Sequence, residues 1–269
     1  VRVRPVDLPG RRFCSESSAG HYRKEQPMNV IADAYLDTIC MRLKALRSDA
    51  AESIAAAVNA LVTTAQNDGL AYVFGTGHSP MLAEEVHYRA GGLAFAVPIL
   101  DPVTMLHEGA IASTMSERTP GIVEPIFDRY PIAAKDTLFV ISNSGTNAAP
   151  LEAAHIGRKI GCTVIAVTSV AYSTASAGGR EKLADIADIV IDNGIPPGDA
   201  IIEMPDTGLK TGPASTVIGA AVINAIFAQV AYRLAEEGNP PVFLSANMPG
   251  AQESNRALVE RFKARNRHL

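Results

Sequence analysis

Apolar residues recur along this chain with two alternating rhythms. Short uninterrupted runs near 71–74, 93–97, 137–141, 163–167 and 188–191 read as strands buried on both faces. Between most of these runs, and before the first, apolar positions return at helical spacing. Residues 30–47 and 49–67 are predicted as two helices. In the second, Ile54, Ala57, Val58, Leu61 and Val62 share one face, Ser48 caps the start and Asn67-Asp68-Gly69 ends it. Strand and helix in alternation predict a five-stranded parallel sheet in a doubly wound, three-layer α/β/α fold of flavodoxin type.

Two stretches depart from that rhythm. Residues 98–135 carry Pro98, Pro102, Pro120, Pro125 and Pro131 and read as irregular. A connection of that length tends to be functional, as a lid or a partner contact. Residues 213–236 form a helix with no charge before Arg233, apolar nearly all round and so buried in the core or in a subunit interface. Its apolar area, with that of the two N-terminal helices, predicts a homo-oligomer, a dimer or tetramer. Residues 251–265 read as a charged terminal helix. Residues 1–27 hold six basic residues against three acidic ones and no apolar core. They are expected to be a flexible basic extension, and residues 28–269 a single domain with helices at both ends.

The chemistry concentrates where strands end. The run Leu138–Ile141 opens into Ser142, Asn143, Ser144, Gly145, Thr146 and Asn147, after which a helical pattern begins. A helix start offers unpaired N–H groups and a positive dipole end, and the hydroxyls add donors. The stretch therefore reads as an anion cradle. It lacks the lysine and spacing of a nucleotide triphosphate loop, so a single phosphate on a small molecule is expected. A second loop, Gly75-Thr76-Gly77-His78-Ser79, follows the run Tyr72–Phe74. Pro80 stands at the first helical position, where its missing N–H costs nothing. Pro80 also displaces the third glycine of a dinucleotide fingerprint. Two such turns fit one site at the carboxyl edge of a parallel sheet.

These loops, with Leu209-Lys210-Thr211-Gly212, resemble the sugar isomerase (SIS) family of phosphosugar-binding domains over roughly residues 30–240. Within it, Leu-Lys-x-Gly before a long apolar helix looks like the N-acetylmuramic acid 6-phosphate etherases. The pair Glu84-Glu85 looks like the phosphoheptose isomerases. The resemblance implies a sugar phosphate held by Ser79, Ser142, Asn143, Ser144, Gly145, Thr146 and Asn147. It also implies a base that removes a proton beside the sugar carbonyl. Candidates are Glu84 or Glu85 as base, Glu108 as rival base or as partner acid, and His78 and Lys210 in support, with Lys210 neutralising a phosphate or a developing enolate. The isomerases place a histidine on the last long helix, and residues 213–236 have none. That tilts the expectation toward a lyase or dehydratase over an aldose–ketose isomerase.

Composition narrows the alternatives. Hydrophobic residues make up 47% and charged residues 19%, with a net charge of −4 and dispersed basic residues, which argues against nucleic-acid binding. No apolar stretch reads as a membrane span. Cys14, Cys40 and Cys162 have no metal spacing; Cys40 and Cys162 read as buried thiols of a cytoplasmic protein, and no metal or cofactor is expected. The competing function is a non-catalytic phosphosugar-sensing regulator. Such regulators carry a DNA-reading helix, and residues 1–70 show no basic recognition helix.

Overall fold

The computed structural model describes residues 30–238 and 240–269. The basic segment 1–27 and Cys14 lie outside the described residues. At the centre is a parallel sheet of β1 (Ala71–Gly75), β2 (Ala96–Pro98), β3 (Thr137–Ile141), β4 (Thr163–Thr168) and β5 (Ile189–Asp192), in the order β2-β1-β3-β4-β5. Every residue of β1, β2 and β3 is buried, as expected of strands covered on both faces. α1 (Val30–Asp49), α2 (Ala51–Gln66), α3 (Pro80–Val86) and α9 (Ser215–Glu236) pack together on one side. α5 (Val123–Phe127), α6 (Ala148–Ile160) and α8 (Leu183–Ile186) pack on the other. The three-layer fold is the one the periodicity predicts. Phe74, Phe139 and Phe227 anchor the core, with Phe74 edge-on to Phe127 and Phe139 to Phe227. Each contributes about 1.5–3 kcal/mol by leaving water.

The order of strands fixes where a ligand goes. From β1 the chain crosses to β2 on one side, then returns past β1 to β3 on the other. Loops leaving β1 and β3 therefore diverge, and a crevice opens between them at the carboxyl edge. Gly75 and Ile141, the last residues of the two strands, are register partners, so both loops start at the same height.

Several expectations are corrected. Residues 98–135 are not irregular throughout. They contain a 3₁₀ turn (Pro102–Thr104), α4 (Ala110–Ser116) and α5. A second, antiparallel sheet was not anticipated: β6 (Ala200–Glu203) pairs with β7 (Lys210–Pro213). Ser48 does not cap α2; its hydroxyl donates to Ala45 O at 2.9 Å and so serves the end of α1. Cys40 is exposed, because the apolar residues of α1 do not all turn inward; Cys162 is buried. α9 is long and apolar enough by length and composition to cross a membrane, yet eight of its residues are buried against the other helices and the sheet.

Candidate functional site

A cavity of about 970 Å³ opens at the β1/β3 crevice. Its floor is the two strand-to-helix loops: Thr76 to Ser79 from β1, and Ser142 to Asn147 from β3. The segment around α4 supplies one wall with Leu106, Thr114, Glu117 and Arg118. α7 (Val170–Ala177) and the turn after it supply Tyr172, Ser176, Arg180 and Glu181, and the start of α9 supplies Ser215.

The β3 loop is shaped by one glycine. Gly145 sits at φ +59°, and a Cβ there would come within 2.7 Å of Ser173 Oγ and 2.8 Å of Thr168 Oγ1. Both the left-handed conformation and the close approach require glycine. Its N–H donates to Ser142 Oγ at 3.1 Å and its carbonyl accepts from Leu183 N at 2.8 Å, which pins the loop to α8. Asn143 is oriented by a chain of bonds. Asn193 Oδ1 accepts from Ile195 N at 3.1 Å, so Asn193 Nδ2 must be the end that donates to Asn143 Oδ1, at 2.9 Å. The Ser144 hydroxyl has no partner among the described residues, and neither do the backbone N–H groups of Ser144, Thr146, Asn147 and Ala148. These donors surround the start of a 13-residue helix, α6, whose dipole favours an anion there.

Asn147 is the N-cap residue of α6 but makes no capping bond. The third residue of α6 is Pro150, which has no N–H to offer, and the Ala149 N–H already donates to Glu117 O at 2.9 Å. The Asn147 amide turns instead to the Glu117 side chain, donating to Oε1 at 3.0 Å, while Thr76 Oγ1 donates to Oε2 at 2.9 Å. Glu117 thus ties the β1 loop to the β3 loop. Its side chain is only 16% exposed and is paired with Arg118 at 3.4 Å. A carboxylate oxygen accepts two hydrogen bonds, so Oε2 keeps an acceptor position.

The β1 loop is tight for a similar reason. A Cβ on Gly75 would lie 2.5 Å from Ser79 Cβ. Ser79 precedes Pro80, the first residue of α3, and makes no capping bond, so its hydroxyl remains uncommitted. Asp199, across the cavity, holds the start of α9: Oδ1 accepts from Ala214 N at 3.1 Å and Ser215 N at 2.8 Å, and Oδ2 from Ser215 Oγ at 2.8 Å. It does so from a left-handed backbone, φ +69°.

Of the residues expected from sequence, His78, Ser79, Ser142, Asn143, Ser144, Thr146 and Asn147 line this cavity, and Gly145 shapes it. The structure does not bring Glu84, Glu85, Glu108 or Lys210 to it. Glu84 borders a smaller recess of about 390 Å³ with His107. Glu85 faces α9, paired with Arg89 and accepting from Asn224 Nδ2 at 2.8 Å. Glu108 borders a separate, mostly apolar recess. Lys210 begins β7 and pairs with Glu203 at 3.0 Å. The residues sequence reasoning missed are Glu117, Arg118, Arg180 and Asp199. Glu117 had the same signal as Glu108, a carboxylate in the proline-rich segment. Asp199 and Arg180 had none, because only the fold brings them to the cavity.

Away from the cavity, burial lowers the pKa of His87 and of His268, and raises that of Cys162 to about 11. His87 ends α3 and stacks edge-on against His268 of the C-terminal tail. Among the described residues, no three or more His, Cys, Asp or Glu side chains gather as a metal site.

A family model for the SIS domain matches residues 34–169 of this chain. The chain belongs to that family, the sugar isomerase domains. A UPF0309 protein of Brucella anthropi is 53% identical over 242 residues, which is 90% of this chain and the whole of that protein. A UPF0309 protein of Brucella canis is 52% identical over the same length. The structure of phosphoheptose isomerase from Neisseria gonorrhoeae is similar in fold, with a TM-score of 0.50 and 18% identity. The similarity covers 74% of this chain and 96% of that one. Of the three segments that carry the family resemblance, the two strand-to-helix loops floor the cavity and residues 209–212 do not border it.

Proposed function

We propose that this SIS protein is an enzyme acting on a sugar or amino-sugar 6-phosphate by removing the proton at C2. The phosphate sits in the Ser142–Asn147 loop, with Ser79 reaching it from the other side. The observation that carries this reading is the set of uncommitted N–H and hydroxyl donors at the start of α6. Glu117 is the base. It is the glutamate fixed by both loops, at a third element of the wall, and hydrogen bonds to Thr76 and Asn147 hold its carboxylate in one orientation. His78, exposed on the β1 loop and lining the same cavity, is the partner acid. If the proton returns to C1 the reaction is an isomerisation; if the C3 substituent departs it is a lyase reaction. The lyase outcome is favoured, since α9 brings Ser215 and no imidazole to the cavity.

The same reading makes the protein a cytoplasmic homo-oligomer. Ile111 and Met115 on α4 are 80% and 67% exposed beside the cavity wall, and Leu36 and Met41 project from α1. Such surface suits a second subunit.

The test is incubation with a panel of hexose and hexosamine 6-phosphates in deuterium oxide, followed by NMR. Deuterium at C2 or C1, or loss of the C3 substituent, is the expected result. In Glu117→Gln the rate of exchange falls by about 10²–10⁴ while the sugar phosphate still binds. Full exchange in that variant would move the base elsewhere, with Glu84, Glu85 and Glu108 next to be substituted. Binding without exchange across the panel would favour a sensor.

A further inference from the structure

The phosphate loop contains no cationic side chain, yet two guanidinium groups line the same cavity. Arg118 is engaged by its neighbours: it pairs with Glu117 and donates to Thr114 O at 2.7 Å. Arg180 is different. Its Nε donates to Ala177 O at 2.9 Å and its Nη2 to Ser176 O at 3.2 Å, so the last carbonyls of α7 hold the group in place. Those two bonds leave three of the five guanidinium N–H donors unused. No carboxylate among the described residues pairs with it. The nearest in sequence, Glu181, is engaged by His155 Nε2 at 2.9 Å. A positive charge is thus fixed at the cavity, and although Glu181 lines the same cavity, its carboxylate bonds His155 and forms no ion pair with Arg180.

Its position relative to the phosphate loop is also set. Ser176, one turn before Arg180, has its Oγ 3.4 Å from Thr146 Oγ1. The cavity therefore runs from the phosphate loop along α7 to Arg180. At about 970 Å³ it stands at the upper end of small-molecule pockets, with room beyond a single hexose phosphate.

We propose that Arg180 reads a second anionic group on the ligand, a carboxylate or a second phosphate, so that the substrate class is a phosphosugar charged at both ends. This rests on the phosphosugar reading above. A planar guanidinium with donors on one free edge matches either group in a two-pronged contact.

The test is calorimetry at low ionic strength with glucose 6-phosphate, 6-phosphogluconate and fructose 1,6-bisphosphate. One of the two doubly anionic ligands is expected to bind about tenfold more tightly than the monophosphate, and which one does so separates carboxylate from phosphate. The preference shrinks as salt is added. In Arg180→Gln the preference falls below about twofold while glucose 6-phosphate binds as before, and Arg180→Lys keeps part of it. Equal binding of all three ligands by the wild type would overturn the proposal. So would equal weakening of all three in Arg180→Gln, which would place Arg180 on the phosphate itself. If none of the three binds, the phosphosugar reading fails and this inference falls with it.

Discussion

Two helices begin at the same cavity and are finished differently. α9, 22 residues long, has its first N–H groups satisfied from outside the helix by Asp199 Oδ1, while Oδ2 accepts from the Ser215 hydroxyl. α6, 13 residues long, has a capping residue in place, yet Asn147 makes no cap and bonds Glu117 instead. Both helices present a positive dipole end. At α9 that end is already neutralised by a carboxylate of the protein; at α6 it is left open, ringed by the hydroxyls of Ser142, Ser144 and Thr146. An internal anion at one helix and an uncommitted cradle at the other separate structure from function. The residue that diverts Asn147 from capping is also the carboxylate assigned as the base, so leaving the cradle open and placing the catalytic group are one arrangement.

The comparison can be broken at either helix. The larger effect is expected from Gly145→Ala, which forces a side chain into a left-handed residue and against Ser173 and Thr168. It should cost about 2–4 kcal/mol of stability in urea unfolding and abolish sugar phosphate binding at temperatures where the protein remains folded. Unaltered binding would show that the loop's shape is not what holds the phosphate. At α9, Asp199→Ala removes the cap and should cost about 1–2 kcal/mol of stability, with sugar phosphate affinity changed less than twofold by calorimetry (about 0.4 kcal/mol). A larger loss of affinity than of stability would make Asp199 a ligand-binding group and erase the contrast between the two helices.

The smallest effect lies away from both. Burial depresses the pKa of His87 and of His268 in the folded state. The unfolded chain therefore takes up protons first as pH falls through about 6.5, so this contribution to stability is present above that pH and lost below it. His87 faces His268 and Tyr88, and His268 in turn meets Tyr130 Oη at 2.9 Å and lies near Arg267 and Arg129. The urea midpoint should drop from pH 7.5 to 5.5, and the drop should be smaller in His87→Gln. Sugar phosphate affinity, followed in parallel, should not change with that substitution. An identical pH profile in the variant would remove His87 from the account.

How much of this was legible in the sequence follows from what each signal depends on. The five strands were readable because each is a short apolar run, a property of consecutive residues; β1, β2 and β3 are buried throughout, and β5, at the sheet edge, only in part. The two loops were readable because glycine and hydroxyl residues must follow a strand directly to form such a turn. The β6–β7 hairpin was not, since its strands Ala200–Glu203 and Lys210–Pro213 are only four residues each, β7 is mostly exposed, and neither has an apolar alternation. Lys210 consequently looked like a lone loop lysine, when cross-strand pairing gives it Glu203. The glutamates were the hardest. Glu84 and Glu85 lie on the helix that leaves the site, but α3 turns Glu85 toward Asn224 of α9. Glu117 reaches the cavity only because the proline-rich segment folds back over the loops, a tertiary placement that no local pattern encodes. Arg180 and Asp199 depend in the same way on where α7 and α9 pack.

The claim on which the rest stands is that the α6 loop holds the phosphate. Calorimetry of hexosamine 6-phosphate binding to the wild type and to the triple variant Ser142→Ala, Ser144→Ala and Thr146→Ala tests it directly. Each hydroxyl lost to a charged group should cost about 1.5–3 kcal/mol, so the triple variant should bind at least a hundredfold more weakly at temperatures where urea unfolding shows it still folded. Undiminished binding by the triple variant would contradict the account.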